Sequence, residues 1–129
     1  MPLAIGVAAG SGKKTVVIHG DGGFMFHATE LATAAQYQLP MIICVFDDGG
    51  YGVLRGLQAQ AFEGRYTDTD LGAVNFAAMA QSMGVKGVPV GSLDEFRAAY
   101  QQAFEDKGPT LLHINMRQLI PMQGSILPT

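Results

Sequence analysis

Met41-Ile-Ile-Cys-Val-Phe-Asp-Asp-Gly-Gly50 is a six-residue apolar run that stops at two carboxylates and two glycines. A short run without polar alternation predicts a strand buried on both faces, and the Asp-Asp-Gly-Gly end predicts a turn. Leu39-Pro40 just ahead breaks the helix expected before it. A stretch of similar make stands upstream, where Thr15-Val-Val-Ile-His19 leads into Gly20-Asp-Gly-Gly23. It too reads as a strand covered on both faces and closed by a glycine turn.

Working outward, Leu31, Ala34 and Ala35 recur at helical spacing and predict a helix over 27–37. His27-Ala-Thr-Glu30 has the form of a capping box with His27 in the usual Ser/Thr place. The small apolar residues of 3–9 read as the last turns of a helix finished by the Gly10-Ser-Gly12 cap. Further helices are expected over 51–61, 75–83 and 93–106, the last with Ser92 and Glu95 as a capping box, and further strands over 85–90 and 110–115. Residues 62–70 are polar and aperiodic, which predicts a surface loop able to order on contact with a ligand or partner. Strands alternating with helices predict right-handed β-α-β units. The expected class is α/β, an open, mainly parallel sheet with helices on both faces.

The chain's 129 residues suffice for one core, and 48% hydrophobic with 15% charged residues is a globular composition. A net charge of -3, from 8 basic and 11 acidic residues without a basic stripe, argues against nucleic acid as a partner. Cys44 is the sole cysteine and lies inside the apolar run, so neither a disulfide framework nor a thiolate metal site is expected, only a small core residue in a reducing compartment. The apolar opening is interrupted by Gly6 and Gly10 and follows no basic residue, unlike a secretory signal. No apolar stretch nears the ~20 residues that span a bilayer. A cytoplasmic protein without membrane partners is expected.

In an open parallel sheet, ligands gather beyond the carboxyl ends of the strands. The 26 residues between Asp21 and Asp48 are enough for one helix and one strand, which returns both carboxylates to the same end of the sheet. Two carboxylates there can share a hard divalent cation of magnesium type, which takes oxygen ligands and completes its octahedron with phosphate and water. Gly22 and Gly23, lacking Cβ atoms, let main-chain amides approach a phosphate, and the helix expected from Tyr51 adds the positive end of its dipole.

Together the two loops resemble the thiamine-diphosphate motif, which runs from Gly-Asp-Gly over a segment of this length to an Asn-Asn or Asn-Asp pair. Phe24-Met-Phe-His-Ala-Thr-Glu-Leu31, Ala34-Ala-Gln-Tyr-Gln-Leu-Pro40 and Tyr51-Gly-Val-Leu-Arg55 are similar to the same family, and the resemblance extends from Pro2 to about Asn115. It is nearest the acetolactate-synthase and benzoylformate-decarboxylase branch, in which this segment is the C-terminal, diphosphate-binding domain. The resemblance implies that the side chains of Asp21 and Asp48 and the main-chain carbonyl of Gly50 ligate magnesium. Gly20, Gly22, Gly23, Tyr51 and Gly52 would lie around the diphosphate, and Val53, Leu54 and Leu57 would wall the substrate pocket.

Two departures carry weight. Asp47 stands where the family usually has Asn, and an extra carboxylate repels a diphosphate unless it points away or caps the following turn. The pyrimidine-binding domain with its cofactor-activating glutamate has no counterpart in this sequence. The expectation is therefore a domain over 1–117, truncated at its N-terminus, with a tail over 118–129 free to wrap over a neighbour. It would carry no catalytic residue of its own and no turnover alone. Its implied partners are a pyrimidine-binding domain of the same or another chain, a small 2-oxo acid, and further copies in a homo-oligomer.

Rival readings are weaker. Gly10-Ser-Gly-Lys-Lys-Thr15 lacks the first glycine of a P-loop, has Lys14 at its hydroxyl position and follows a helix rather than a strand. His19, His27 and His113 share no ligand spacing and read as capping or packing residues. A phosphorelay receiver matches the length and the clustered aspartates but needs a lysine after its last strand, where Met116-Arg117 stands. A cofactor-free interaction module that keeps the sheet is the second alternative.

Overall fold

The computed structural model describes residues 1–119, so the expected tail lies, from residue 120 onward, outside the described residues. Four strands, β1 (Thr15–Gly20), β2 (Met41–Asp47), β3 (Lys86–Val90) and β4 (Thr110–Asn115), form one sheet in the order β1-β2-β4-β3. Every pairing is parallel, with Gly20 opposite Phe46 and Asp47 opposite Asn115. This register brings the carboxyl ends of β1, β2 and β4 level, which places Asp21, Asp47 and Asn115 along one rim.

Helices α1 (Pro2–Ser11), α2 (Asp21–Met25), α3 (Glu30–Gln36), α4 (Gly52–Ala61), α5 (Phe76–Ser82), α6 (Leu93–Glu105) and α7 (Met116–Leu119) connect and flank the strands. Met41, Ile43, Val45 and Leu111 face Ala8, Phe24, Leu31, Ala34, Phe76 and Ala80, which form the larger core. Ile42, Cys44, Leu112 and Ile114 face the opposite way onto Ala103, Phe96 and Tyr100 of α6. The α/β class and the helices on both faces are as expected. From β2 the chain passes α5 on the first face and skips a place to β3, then returns through α6 on the second face so that β4 fills the gap. Reversing direction and face together keeps the crossovers of one hand.

Local chemistry accounts for most boundaries. Gly12, at φ 63°, ends α1 in the left-handed conformation and its N–H donates to the Ala8 carbonyl at 2.9 Å. The Asn75 side chain accepts from the Ala78 N–H and caps α5, and Ser92 Oγ accepts from the Glu95 N–H to cap α6. The Glu95 carboxylate accepts in return from the Gly91 N–H at 2.7 Å, so the expected box forms one residue wider. Lys14, in the P-loop-like stretch, is spent on structure: its Nζ donates to the carbonyls of Ala103 and Asp106 at the end of α6. Cys44 is buried, and burial pushes its thiol up to about 11, which suits an inert core residue.

Three local expectations are corrected. Among the described residues β1 is an edge strand, and α6 packs chiefly on β2, β3 and β4, so Val16 and Ile18 are 42% and 70% exposed where burial on both faces was expected. The Gly20-Asp-Gly-Gly23 segment is no tight turn, because α2 starts at Asp21 with Gly20 as its extended N-cap. The capping box at His27 does not form, since the amides of Glu30, Leu31 and Ala32 already donate to carbonyls three residues back; Thr29 is the N-cap, without a side-chain bond.

Candidate functional site

Asp21 opens α2 directly beyond β1 and is only 3% exposed. Its Oδ1 accepts from the Gly22 N–H at 2.8 Å, while Oδ2 accepts from the N–H groups of Gly49 and Gly50 at 3.0 and 2.9 Å. One carboxylate thus joins the loop after β1 to the loop after β2. Burial raises the Asp21 pKa above the ordinary carboxylate value, the charges of Asp48 and Asp47 raise it further, and the Gly22 amide opposes them.

The second loop is held from several sides. Gly49 turns with φ 82°, its N–H also donating to Asp47 Oδ1 at 2.9 Å, and its carbonyl accepts from the Leu71 N–H at 3.0 Å. Arg117 Nε donates to the Asp48 carbonyl at 3.0 Å, and the guanidinium lies where a Cβ on Gly49 would project. Tyr51 N–H donates to the Thr69 carbonyl at 2.8 Å, which ties the site to the expected surface loop. That loop is ordered by Gln58, whose amide bonds both the N–H and the carbonyl of Thr67, and by the Arg55–Asp70 ion pair.

The residues expected around a diphosphate share this rim but differ in access. Gly22 is buried, and a Cβ on it would lie 2.5 Å from Cε1 of Tyr51, so its bareness makes room for that ring. Gly20, Gly23 and Gly52 are exposed, and Asp48 Oδ2 occupies the space beside Gly52. Val53, Leu54 and Leu57 stand 81%, 48% and 56% exposed on α4, an open apolar surface.

Clustered oxygen donors such as these fit a hard divalent cation. Among the described residues no three His, Cys, Asp or Glu side chains form a ligand set.

His113 and Arg117 escaped the reading from residues. His113 Nε2 lies 2.8 Å from Asp47 Oδ2, with its ring edge-on to Phe76. Asp47 therefore caps the turn through Oδ1 while His113 holds Oδ2, and its carboxylate shares the Gly49 amide with Asp21. The available signal was a lone polar side chain inside Leu111-Leu-His-Ile114 on a strand ending at the same rim. Beside it, at the carboxyl ends of β3 and β4, a cleft of about 460 Å³ is lined by Asn75, Pro89, Gly91, Glu95, His113 and Asn115, among others.

Comparison with known proteins agrees with this geometry. The family model for "Thiamine pyrophosphate enzyme, C-terminal TPP binding domain" matches residues 1–114. The isozyme 2 large subunit of acetolactate synthase from Escherichia coli is 34% identical over 121 residues, 92% of this chain and 22% of that protein. A probable acetolactate synthase large subunit from Methanocaldococcus jannaschii is 35% identical over 115 residues, 88% of this chain and 20% of its own length. Among solved structures, the thiamine diphosphate-dependent 4-hydroxybenzoylformate decarboxylase of Rhodococcus jostii superposes with a TM-score of 0.85 at 30% identity, covering 89% of this chain and 22% of that one. Benzoylformate decarboxylase from Polynucleobacter necessarius gives 0.83 at 27% identity, over 94% and 24%. The chain spans about a fifth of the length of the curated relatives it matches. No described helix is long and apolar enough to cross a membrane. With the family match covering all four strands nearly to their end, the chain belongs to the C-terminal, thiamine-diphosphate-binding domains of the acetolactate synthase and benzoylformate decarboxylase type.

Proposed function

We propose that this chain binds the diphosphate of thiamine diphosphate through a magnesium ion, as one domain of a 2-oxo acid decarboxylase or an acetolactate synthase-like carboligase. The observation that carries this reading is the convergence of both strand-end loops on the buried Asp21 carboxylate. The magnesium ligands are the carboxylates of Asp21 and Asp48 with the Gly50 carbonyl. Gly20, Gly22, Gly23, Tyr51 and Gly52 line the diphosphate, where the N-terminal end of α4 favours an anion, while the Gly22 and Tyr51 N–H groups are themselves engaged by Asp21 and the Thr69 carbonyl.

Each residue has a bounded task. Asp21 spreads its charge over three amides and keeps its remaining lone pairs for the cation. Cation binding offsets the mutual repulsion of Asp21, Asp47 and Asp48, and its phosphate ligands in turn offset the cation. When bound, thiamine diphosphate supplies the carbon nucleophile and the electron sink for decarboxylation, which side chains lack. Val53, Leu54 and Leu57 contribute one apolar wall of the substrate pocket, and the opposite wall and the activating glutamate come from a pyrimidine-binding domain of the same or another chain in an oligomer. The chain by itself is therefore inactive. Isothermal calorimetry of thiamine diphosphate with and without magnesium tests the reading: magnesium-dependent heat in the unaltered chain, lost in Asp21→Ala, is expected. Equal binding by Asp21→Ala removes the proposed metal site, and folded protein that binds no thiamine diphosphate at all favours a cofactor-free interaction module.

A further inference from the structure

We infer that His113 is a positioning residue for the Asp47–Gly50 loop, holding Asp47 in the one orientation in which an aspartate at this place supports an anion site rather than opposing it. A carboxylate can only accept, so His113 Nε2 is the donor in its 2.8 Å bond to Asp47 Oδ2. The other oxygen, Oδ1, is committed to the Gly49 N–H at 2.9 Å. Both oxygens are therefore engaged by donors within the protein. The pair is enclosed, with the His113 and Asp47 side chains only 14% and 21% exposed, which makes a lost partner costly.

The ring is itself fixed. Phe76, at the start of α5, packs edge-on to His113 at 5.2 Å between centroids, and Phe76 in turn packs edge-on to Phe24 of α2. A chain of three rings thus runs from α2, which carries Asp21, to the residue that holds Asp47. The Gly49 amide is the point where the two carboxylates meet, since it donates to both Asp21 Oδ2 and Asp47 Oδ1. If Asp47 loses His113, a half-buried carboxylate is left with one oxygen unpaired beside Asp21 and Asp48, and the loop relaxes to solvate it.

The functional consequence rests on the diphosphate-binding reading, but the structural one does not, and two measurements separate them. Three variants are compared with the unaltered chain: His113→Leu, His113→Gln, which keeps a donor at the Nε position, and the double variant His113→Leu/Asp47→Asn, which removes the stranded charge. Amide hydrogen exchange at Gly49 and Gly50 reads the loop, and calorimetric titration with magnesium and thiamine diphosphate reads the site. His113→Leu is expected to exchange faster and to bind about tenfold more weakly, the scale of one hydrogen bond to a charged group, with His113→Gln and the double variant restored in both. Unchanged exchange in His113→Leu overturns the inference, as does a double variant no better than the single. Should His113→Leu fail to fold, exchange in His113→Gln and recovery of folding by Asp47→Asn decide the matter in the same sense. Altered exchange in a chain whose unaltered form binds no thiamine diphosphate leaves the positioning role standing and defeats the proposed function instead.

Discussion

Gly22 and Gly23 are neighbours in sequence, yet a methyl group added to each meets different surroundings. At Gly22 it would lie 2.5 Å from the Tyr51 ring, whereas at Gly23 nothing stands within 4 Å. Gly22→Ala is expected to destabilise the chain by about 1–3 kcal/mol through overpacking. Gly23→Ala is expected to stabilise α2 by up to about 1 kcal/mol, since alanine is the better helix former. If Gly23 approaches the diphosphate as proposed, the same substitution weakens calorimetric binding while raising the denaturation midpoint. A Gly23→Ala chain that binds as tightly as the unaltered one takes Gly23 out of the site. That Asp21 and Asp48 lie on one rim was legible in the sequence because each follows a recognisable strand, and parallel strand ends share a rim. The Asp47–His113 pair was not, because its members lie 66 positions apart and meet only once β4 is inserted beside β2.

Elements with strong periodicity were legible from their residues: β2 from its unbroken apolar run, α6 from its capped amphipathic pattern, α1 from its glycine end. α2 was hidden because glycine disfavours helix, and only the packing of Phe24 and the Tyr51 ring justifies it there. The outer face of β1 misled because burial depends on what covers a strand as well as on its own side chains. At the other end of the sheet, Asp106 follows α6 and bonds Lys86 Nζ of β3 at 2.8 Å and Thr110 Oγ1 of β4 at 3.3 Å. The Lys86 bond, first among several, lowers its pKa below the ordinary carboxylate value. A lowered folded-state pKa means that Asp106 stabilises the fold above the ordinary carboxylate range and loses that contribution as pH falls through the folded-state value. Asp106→Asn should therefore be less stable than the unaltered chain near neutrality, with the gap closing in acid. Urea denaturation across a pH series checks this; a gap independent of pH would show that the carboxylate charge is not what matters. The partly exposed ion pair sets a modest scale for the effect.

At the scale of the whole molecule, β1 presents an edge that no other described strand pairs, together with exposed Val16 and Ile18, and α4 exposes Val53, Leu54 and Leu57. An open edge with apolar side chains invites pairing with another chain. The isolated chain is expected to associate as its concentration rises, and Val16→Lys with Ile18→Lys to suppress this without loss of secondary structure. Sedimentation velocity with circular dichroism gives the comparison, and equal association in the two chains would move the sticky surface to α4. The strand order has a different consequence, in time rather than in space. Among the described residues β4, the last strand, is central in the sheet, and β3 has no other strand partner. While the chain is being made, β2 keeps one edge open and β3 stands alone until Thr110–Asn115 has emerged and docked. Such late, non-local closure slows folding and leaves the nascent chain exposed to chaperones and proteases. A polypeptide interrupted before Thr110 thus forfeits the seam between the two halves of its sheet, and its abundance in a cell should collapse.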